Sequence, residues 1–175
     1  MFKEKFDLDL DFLKMKSPHL IGVDISSSSV KMVELSISNK GNQTYRIERY
    51  AIEPLPDDAM LEGGIVNLEV VSDCMQRGWK RMGTRQKNVA LALPVTDVIT
   101  KKIIVPAGQR EDDLIFQVEN EASQYIPFPL DEIDLDFQIV KPVSESVDEV
   151  EVLIAASRKE KVEDRVAAAL SAGLK

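Results

Sequence analysis

Five side chains between two apolar segments could bind a phosphate group. Asp24 ends the first segment, Ser26, Ser27 and Ser28 follow it, and Lys31 lies in the second. A tight turn of small residues exposes backbone N–H groups that can converge on an anion, and serine and lysine side chains add further donors. The aspartate suits a hydrated Mg²⁺ ion, which prefers carboxylate and phosphate oxygens. The pattern therefore predicts a nucleotide-phosphate site on a β-hairpin, with Asp24 holding magnesium through water.

The same residues also suit an ordinary turn. Aspartate and serine are frequent in turns because their side chains bond to the nearby backbone. The Gly-x-x-x-x-Gly-Lys-Ser/Thr segment of a Walker loop is absent from the sequence, so the predicted site is of another type. The residue types alone leave both interpretations open.

The composition argues against several classes of function. The chain has 175 residues, a formal net charge of −8, one cysteine and one histidine. A single cysteine allows no internal disulfide and fits a reducing cytoplasm, and a single histidine nearly excludes a histidine-based catalytic pair or metal cluster. The acidic balance predicts no nucleic-acid binding, which needs a basic surface. No apolar run approaches the roughly 20 residues of a membrane span.

The elements that would position the hairpin form the first predicted subdomain, residues 19–86. Strands are predicted over 20–25, 30–37 and 45–52, because these segments are apolar or alternating and end at turn residues or prolines. A helix then begins after Asn67, its predicted N-cap. The predicted buried face of that helix consists of Val71, Met75, Gly78, Trp79 and Met82. Residues 1–18 are predicted to form an arm.

Residues 87–157 predict a smaller α+β subdomain. Strands are predicted over 89–93, 98–105, 133–139 and 150–156, and a helix over 111–126, ended by prolines. The predicted inward face of this helix consists of Leu114, Ile115, Val118, Ala122, Tyr125 and Ile126. Tyr125, Ile126 and Phe128 either close the core at the helix end or line a groove for a partner peptide. The order of the last four elements is strand, helix, strand, strand.

Residues 158–175 predict a linking helix, after which the chain is expected to stop in the middle of a fold. Ser157 and Glu160 have the spacing of a capping box at its start. The predicted inward side chains of this helix are Val162, Val166, Ala169 and Leu170. A sheet that lacks part of its covering layer would expose apolar surface, so we expect two copies of the chain to pair or to exchange an element.

The segment "IGVDISSSSVKMVEL" resembles the first phosphate-binding hairpin of the actin-like ATPase superfamily, which includes actin, sugar kinases, Hsp70 chaperones and FtsA. In that pattern an aspartate, a small residue, a serine or threonine and a lysine fall on Asp24, Ser26, Ser27 and Lys31. Ser26 and Ser28 replace the glycines common in this loop. The resemblance implies part of a ribonuclease H-like ATPase domain, and ATP with magnesium as cofactors of the intact protein.

A narrower resemblance covers nearly the whole chain. The segments "EGGIVN", "VALALP", "EASQYIPFPLDEIDLDF" and "EVLIAASRKEKVEDRVAAALSAGL" are similar to the N-terminal half of the PilM family, actin-like proteins of type IV pilus assembly. This resemblance implies binding of the cytoplasmic tail of PilN in a groove beside the inserted subdomain. It also implies contact with other pilus platform proteins, and a cytoplasmic location at the inner face of the bacterial inner membrane, with indirect membrane association.

The expected fold class is therefore α/β plus α+β, an incomplete actin-like fold with a strand–helix–strand–strand insert. No residue is assigned a catalytic role, and at most slow ATPase activity is expected of the intact protein. Two alternatives stay open: an FtsA-like protein that polymerises on the membrane, and an ATPase or kinase of the same superfamily. A sedimentation assay with ATP tests the first alternative, because the formation of filaments would favour an FtsA-like protein.

Overall fold

The computed structural model describes residues 20–39, 44–142 and 148–175, so the predicted arm at 1–18 lies outside the described residues. The described strands are β1 (Ile21–Ile25), β2 (Ser29–Asn39), β3 (Thr44–Pro54), β4 (Met60–Leu61), β5 (Gly64–Ile65), β6 (Val89–Leu91), β7 (Ile99–Pro106), β8 (Ile133–Pro142) and β9 (Glu149–Arg158). The described helices are α1 (Leu68–Met82), α2 (Glu111–Tyr125) and α3 (Lys159–Ser171). In the part of the chain that the structure covers, no helix is long and apolar enough to cross a membrane.

The chain divides into two compact units. The first contains the described residues up to Met60, with Val66–Ala92 and Ala168–Lys175, and the second contains Leu61–Ile65 and Leu93–Ala167. The sequence placed its domain boundaries after residues 86 and 157, whereas the division by compactness falls after Ala92 and Ala167.

The first unit is a four-stranded sheet with a helix on one face. The strand order is β3-β2-β1-β6, with β1 antiparallel to β2, β2 antiparallel to β3, and β1 parallel to β6. Helix α1 packs on β2 and β3. The Asn67 side chain accepts a hydrogen bond from the Val70 N–H at 3.2 Å, which confirms the predicted N-cap. The predicted strands and the helix of this unit are confirmed. They could be predicted because apolar periodicity and helix caps depend only on residues close together in the chain.

The second unit is a three-stranded antiparallel sheet, ordered β7-β9-β8, with α2 on one face. Its core joins side chains of β7, α2 and β9: Ile103, Val105, Leu114, Val118, Val150, Val152 and Ile154. Leu135, Phe137 and Ile139 of β8 are partly buried and pack against this cluster. Ile115 and Tyr125 were predicted to face inward but are exposed. The buried side chains of α2 are Leu114, Val118 and Ala122, which are spaced four residues apart. Because this row is narrow, Ile115 and Tyr125 fall outside it and face water.

The start and the buried face of α3 differ from the sequence prediction. The predicted capping box is wrong, because Ser157 pairs with Asp134 inside the β-sheet and α3 begins only at Lys159. Val166 and Leu170 were expected to be buried, and they are exposed. The buried row of this helix consists of Arg165, Ala168 and Ala169, and Ala172, directly after the helix, is buried as well. Hydrogen bonds to two backbone carbonyl oxygens and the nearby Asp97 carboxylate explain why Arg165 is buried.

Candidate functional site

The five residues predicted to bind phosphate meet at the turn between β1 and β2. Asp24 and Lys31 face each other across the two strands, and Lys31 Nζ donates a hydrogen bond to Asp24 Oδ2 at 3.0 Å. The two side chains are about half exposed, at 55% for Asp24 and 50% for Lys31. An exposed ion pair of this kind stabilises a fold by at most about 1 kcal/mol. Both charges can therefore be redirected to a ligand at little cost.

Ser26 closes the turn, and it does not offer a free hydroxyl as the sequence suggested. Its N–H and its Oγ both donate to the Ser29 carbonyl oxygen, at 3.0 and 2.9 Å. Ser27 and Ser28 are exposed, and among the described residues their N–H groups have no backbone acceptor. The Ser28 carbonyl accepts from the Leu55 N–H at 2.9 Å, which fixes the loop to the end of β3. The turn thus presents two N–H donors on a fixed backbone.

This donor set fits a phosphate and a hydrated cation better than a directly bound metal ion. In residues 20–39, 44–142 and 148–175, no group of three or more His, Cys, Asp and Glu side chains could hold a metal ion. Asp24 is a single carboxylate, so a magnesium ion beside it would keep most of its waters. The assignment of these residues to a nucleotide stays a prediction.

A second candidate site is a cavity of about 160 Å³ in the second unit. The cavity lies beside a buried apolar cluster of Ala122, Ile126, Ile133 and Ala156, which contributes three of the lining residues. Its lining comprises Thr96, Asp97, Ile99, Ile126, Phe128, Ile133, Ala156, Ser157, Arg158 and Lys161. The walls are mostly apolar, and the three charged side chains are Asp97, in the turn before β7, Arg158 of β9 and Lys161 in the first turn of α3. A concave apolar site with a few polar groups is the usual form of a binding pocket.

Two buried polar atoms distinguish this cavity from a packing defect. Ser157 Oγ and Asp97 Oδ2 have no hydrogen-bond partner among the described residues. The Arg165 guanidinium supplies a counter-charge to Asp97 Oδ2, but at 3.6 Å it is too far away for a hydrogen bond. Both side chains line the cavity, and Ser157 as a whole is only 7% exposed. Buried polar atoms are nearly always paired, and an unpaired one costs about 1–3 kcal/mol. A ligand that supplied hydrogen-bond partners to these two atoms would remove that cost. We therefore expect a bound ligand to form hydrogen bonds with Ser157 and Asp97.

Arg158 and Lys159 make contacts near the Phe128 side of the cavity. The Arg158 guanidinium lies over the Phe128 ring, 5.4 Å from its centre, and also pairs with Glu160 at 3.1 Å. Lys159 Nζ donates to the Asp131 carbonyl oxygen at 2.6 Å, which fixes the start of α3 against the loop before β8. The Arg158 guanidinium therefore packs on the Phe128 ring, and both side chains line the cavity.

The sequence anticipated part of this second site. Ile126 and Phe128 line the cavity, as the groove interpretation required, and Ile126 also closes the core, as the other interpretation required. Tyr125 does not line it and instead stacks under Lys101, whose Nζ is 4.1 Å from the ring centre. Asp97 and Ser157 were missed, because they are 60 residues apart and no local pattern joins them.

Comparison with known proteins gives two matches. The sequence model of the family described as "Type IV pilus assembly protein PilM" matches residues 22–175. The solved PilM-PilN type IV pilus biogenesis complex contains a chain similar to this one, with a TM-score of 0.77 and 30% sequence identity. The alignment covers 89% of this chain and 45% of that chain, so this chain spans less than half of the solved one. The predicted fold class, a partial actin-like fold with an inserted module, is confirmed.

Proposed function

Because this chain belongs to the PilM family of type IV pilus assembly proteins, we propose that it binds the cytoplasmic tail of a PilN protein in the cavity of the second unit. The similar solved chain comes from a PilM-PilN complex, which supports PilN as the partner. The observation that carries the proposal is the cavity itself, where Ser157 Oγ and Asp97 Oδ2 have no hydrogen-bond partner among the described residues.

The cavity selects a particular kind of peptide. Ile99, Ile126 and Ile133 form apolar walls that fit one aliphatic side chain. Asp97 Oδ2 can only accept a hydrogen bond when ionised, so the peptide must bring an N–H group next to that side chain. Ser157 Oγ can either donate or accept, so it suits a main-chain carbonyl or N–H. An extended segment with an aliphatic residue beside an amide donor meets all of these conditions.

Filling the cavity should abolish most of the peptide binding. Thr96 is an exposed residue at its rim, and Thr96→Trp would place a large ring where the aliphatic side chain enters. We expect the dissociation constant for a peptide from the N-terminal tail of the cognate PilN to rise by at least about tenfold. Isothermal titration calorimetry measures this directly, and circular dichroism verifies that the variant folds.

Thr100→Trp is the matched control for this experiment. Thr100 is also exposed, lies four residues further along in β7, and does not line the cavity. Its affinity for the peptide should stay within about twofold of the unchanged chain. Equal affinity of the Thr96→Trp variant and the unchanged chain would contradict the proposal, as would equal losses in both variants.

We also propose that the longer protein binds MgATP at the turn between β1 and β2. The exposed N–H groups of Ser27 and Ser28 and the displaceable Asp24–Lys31 pair support this. Asp24 would hold the magnesium ion through water, Lys31 would turn to the phosphates, and Ser26 would keep the turn closed. Bound ATP would alter the fit of the protein to its partners, with slow hydrolysis at most.

Asp24→Ala in the longer protein should weaken MgATP binding by about 10–100-fold, the usual effect of removing a group that orients a metal's ligands. The fold should be unaffected, since Asp24 is exposed. Fluorescence titration with a labelled nucleotide gives the affinity. Asp57→Ala, at an exposed aspartate in the loop after β3, serves as the control. Unchanged nucleotide affinity in Asp24→Ala would remove this residue from the site.

A position at the inner face of the inner membrane and contacts with other pilus platform proteins complete the proposed role. They are supported by the family and by the PilN partner of the similar chain. The PilN tail would supply the association with the membrane indirectly. An FtsA-like polymer and a kinase stay alternatives, and sedimentation with ATP tests the first of them.

A further inference from the structure

A second pocket, of about 270 Å³, adjoins the cavity of the second unit. We use "charged pocket" for it, because all four of its lining residues are charged: Glu132, Arg158, Lys159 and Glu160. Arg158 lines both the charged pocket and the cavity. The two are also contiguous along the chain, since Ile133 and Ser157 line the cavity. A ligand held in the cavity can therefore reach the charged pocket past the Arg158 side chain.

The pairing of β8 with β9 explains why the side chains of the charged pocket meet. Ile133, the first residue of β8, pairs with Arg158, the last residue of β9. The next residues outward, Glu132 before β8 and Lys159 at the start of α3, therefore lie near each other. The Glu132 N–H donates to the Pro129 carbonyl oxygen at 3.0 Å, which fixes the turn that carries this glutamate. The charged pocket is thus built on the ends of two paired strands.

Three of the four charges in this pocket are already engaged. The Arg158 guanidinium pairs with the Glu160 carboxylate at 3.1 Å. The Lys159 Nζ donates to the Asp131 carbonyl oxygen at 2.6 Å. The Glu132 carboxylate has no ion pair or hydrogen bond to any residue in 20–39, 44–142 or 148–175, and Glu132 is exposed. The charged pocket therefore offers an available negative charge beside the apolar cavity.

The net charge of the second unit favours a basic ligand. Its two chain segments contain 18 acidic and eight basic residues, whereas the whole chain has a net charge of only −8. The excess of negative charge therefore belongs to this unit. Such a charge attracts a positively charged ligand and speeds its association. Cytoplasmic segments close to a membrane span carry an excess of Lys and Arg, so a tail of the proposed kind is expected to be basic.

We propose that the charged pocket binds a Lys or Arg side chain of the same peptide whose aliphatic side chain enters the cavity. This inference rests on the proposed function and adds a second determinant of specificity to it. The Glu132 carboxylate pairs with the peptide cation, while Asp97 and Ser157 bind the peptide inside the cavity. An acidic side chain at the same position of the peptide would face Glu132 and be disfavoured. The second unit thus selects a peptide with an aliphatic and a basic residue close together.

Charge reversal at Glu132 tests the charged pocket. Glu132→Lys should raise the dissociation constant for a peptide from the N-terminal tail of the cognate PilN at least about tenfold, because it brings like charges together. Glu119→Lys is the matched control, since Glu119 is an exposed glutamate of α2 that lines neither pocket. It changes the net charge of the unit by the same amount. Salt screens distant charges, so in calorimetry at physiological ionic strength its effect should stay within about twofold.

A charge swap then identifies the peptide residue that Glu132 binds. Each Lys and Arg of the peptide is replaced singly with Glu, and each variant peptide is titrated into the unchanged chain and into Glu132→Lys. One of these peptides should bind Glu132→Lys at least about fivefold more tightly than it binds the unchanged chain, since the swap restores the ion pair. If no peptide shows this preference, the proposal is overturned. Equal losses of affinity for the original peptide in Glu132→Lys and Glu119→Lys would overturn it as well.

Thr96→Trp separates the failure of this inference from the failure of the proposed function. If Thr96→Trp weakens binding and Glu132→Lys does not, the cavity binds the peptide and the charged pocket does not. If the unchanged chain does not bind the peptide, both the proposed function and the charged pocket are rejected. Circular dichroism verifies that each variant folds, as expected for substitutions at exposed positions.

Discussion

Replacing Arg165 with alanine is expected to lower the free energy of unfolding by about 3–5 kcal/mol, the usual effect of removing one partner from a buried charge pair. Arg165 is 1% exposed. Its guanidinium donates to the carbonyl oxygens of Gly63 and Lys161, both at 3.0 Å, and lies 3.6 Å from Asp97 Oδ2. Alanine would leave the Asp97 carboxylate without its counter-charge. It would also remove the hydrogen bond that holds the loop at Gly63, a residue with a φ of +80°.

The matched control is Arg110→Ala, the same substitution in an exposed ion pair. Arg110 bonds to Asp113, and the two side chains are largely in water. Since exposed pairs contribute little, its effect should stay below about 1 kcal/mol. Urea unfolding followed by circular dichroism measures both variants. A loss below about 1 kcal/mol in Arg165→Ala would show that this arginine does not hold the second unit together. It would also weaken the case that Asp97 is fixed at the cavity.

Replacing Gly78 with leucine is expected to destabilise the first unit by about 3 kcal/mol, because the added atoms have no room. A Cβ at this position would lie 2.9 Å from Met32 Sδ and 3.3 Å from Glu53 Cγ. Met32 and Glu53 are both buried, so neither can move into solvent. Helix α1 would have to move away from the sheet. That movement would also stretch the pairs that Arg77 and Arg81 make with the buried Glu53 carboxylate, at 3.7 and 3.0 Å.

Asp73→Leu is the control for this substitution, because it adds the same side chain on the exposed side of the same helix. Its effect on stability should stay within about 0.5 kcal/mol. Trp79, the single tryptophan of the chain, lies in α1 and gives a fluorescence signal for this unit during urea unfolding. Equal midpoints for Gly78→Leu and the unchanged chain would show that the helix and the sheet are not tightly packed at this point.

The two candidate sites differ in how far the sequence could predict them. The turn between β1 and β2 was found from sequence because Asp24 and Lys31 are seven residues apart and flank a run of turn-forming serines, so a hairpin places both of them near the same turn. The role of Ser26 was not predictable, since serine hydroxyls can bond outwards or to their own turn, and here the Ser29 carbonyl takes the bond. The pairing of Lys31 with Asp24 likewise depends on strand register.

The cavity in the second unit could not be assembled from the sequence. Ile126 and Phe128 suggested a groove by their position after a helix, but Asp97 and Ser157 reach the same cavity from other segments. Ser157 even resembled a helix cap, because a serine three residues before a glutamate is a common N-terminal pattern. The pairing of β8 with β9 overrode that local preference and extended the strand through Arg158.

The sequence by itself determined the strands and helices, the hairpin with its five candidate residues, and the family. These follow from patterns that repeat every two or four residues, or from residues close together in the chain. The tertiary structure alone decided which polar groups are buried: Arg165 within α3, and Asp97 and Ser157 at the cavity. Burial of a polar group depends on the partners that distant segments bring to it, and residue type alone assigns such a group to the surface.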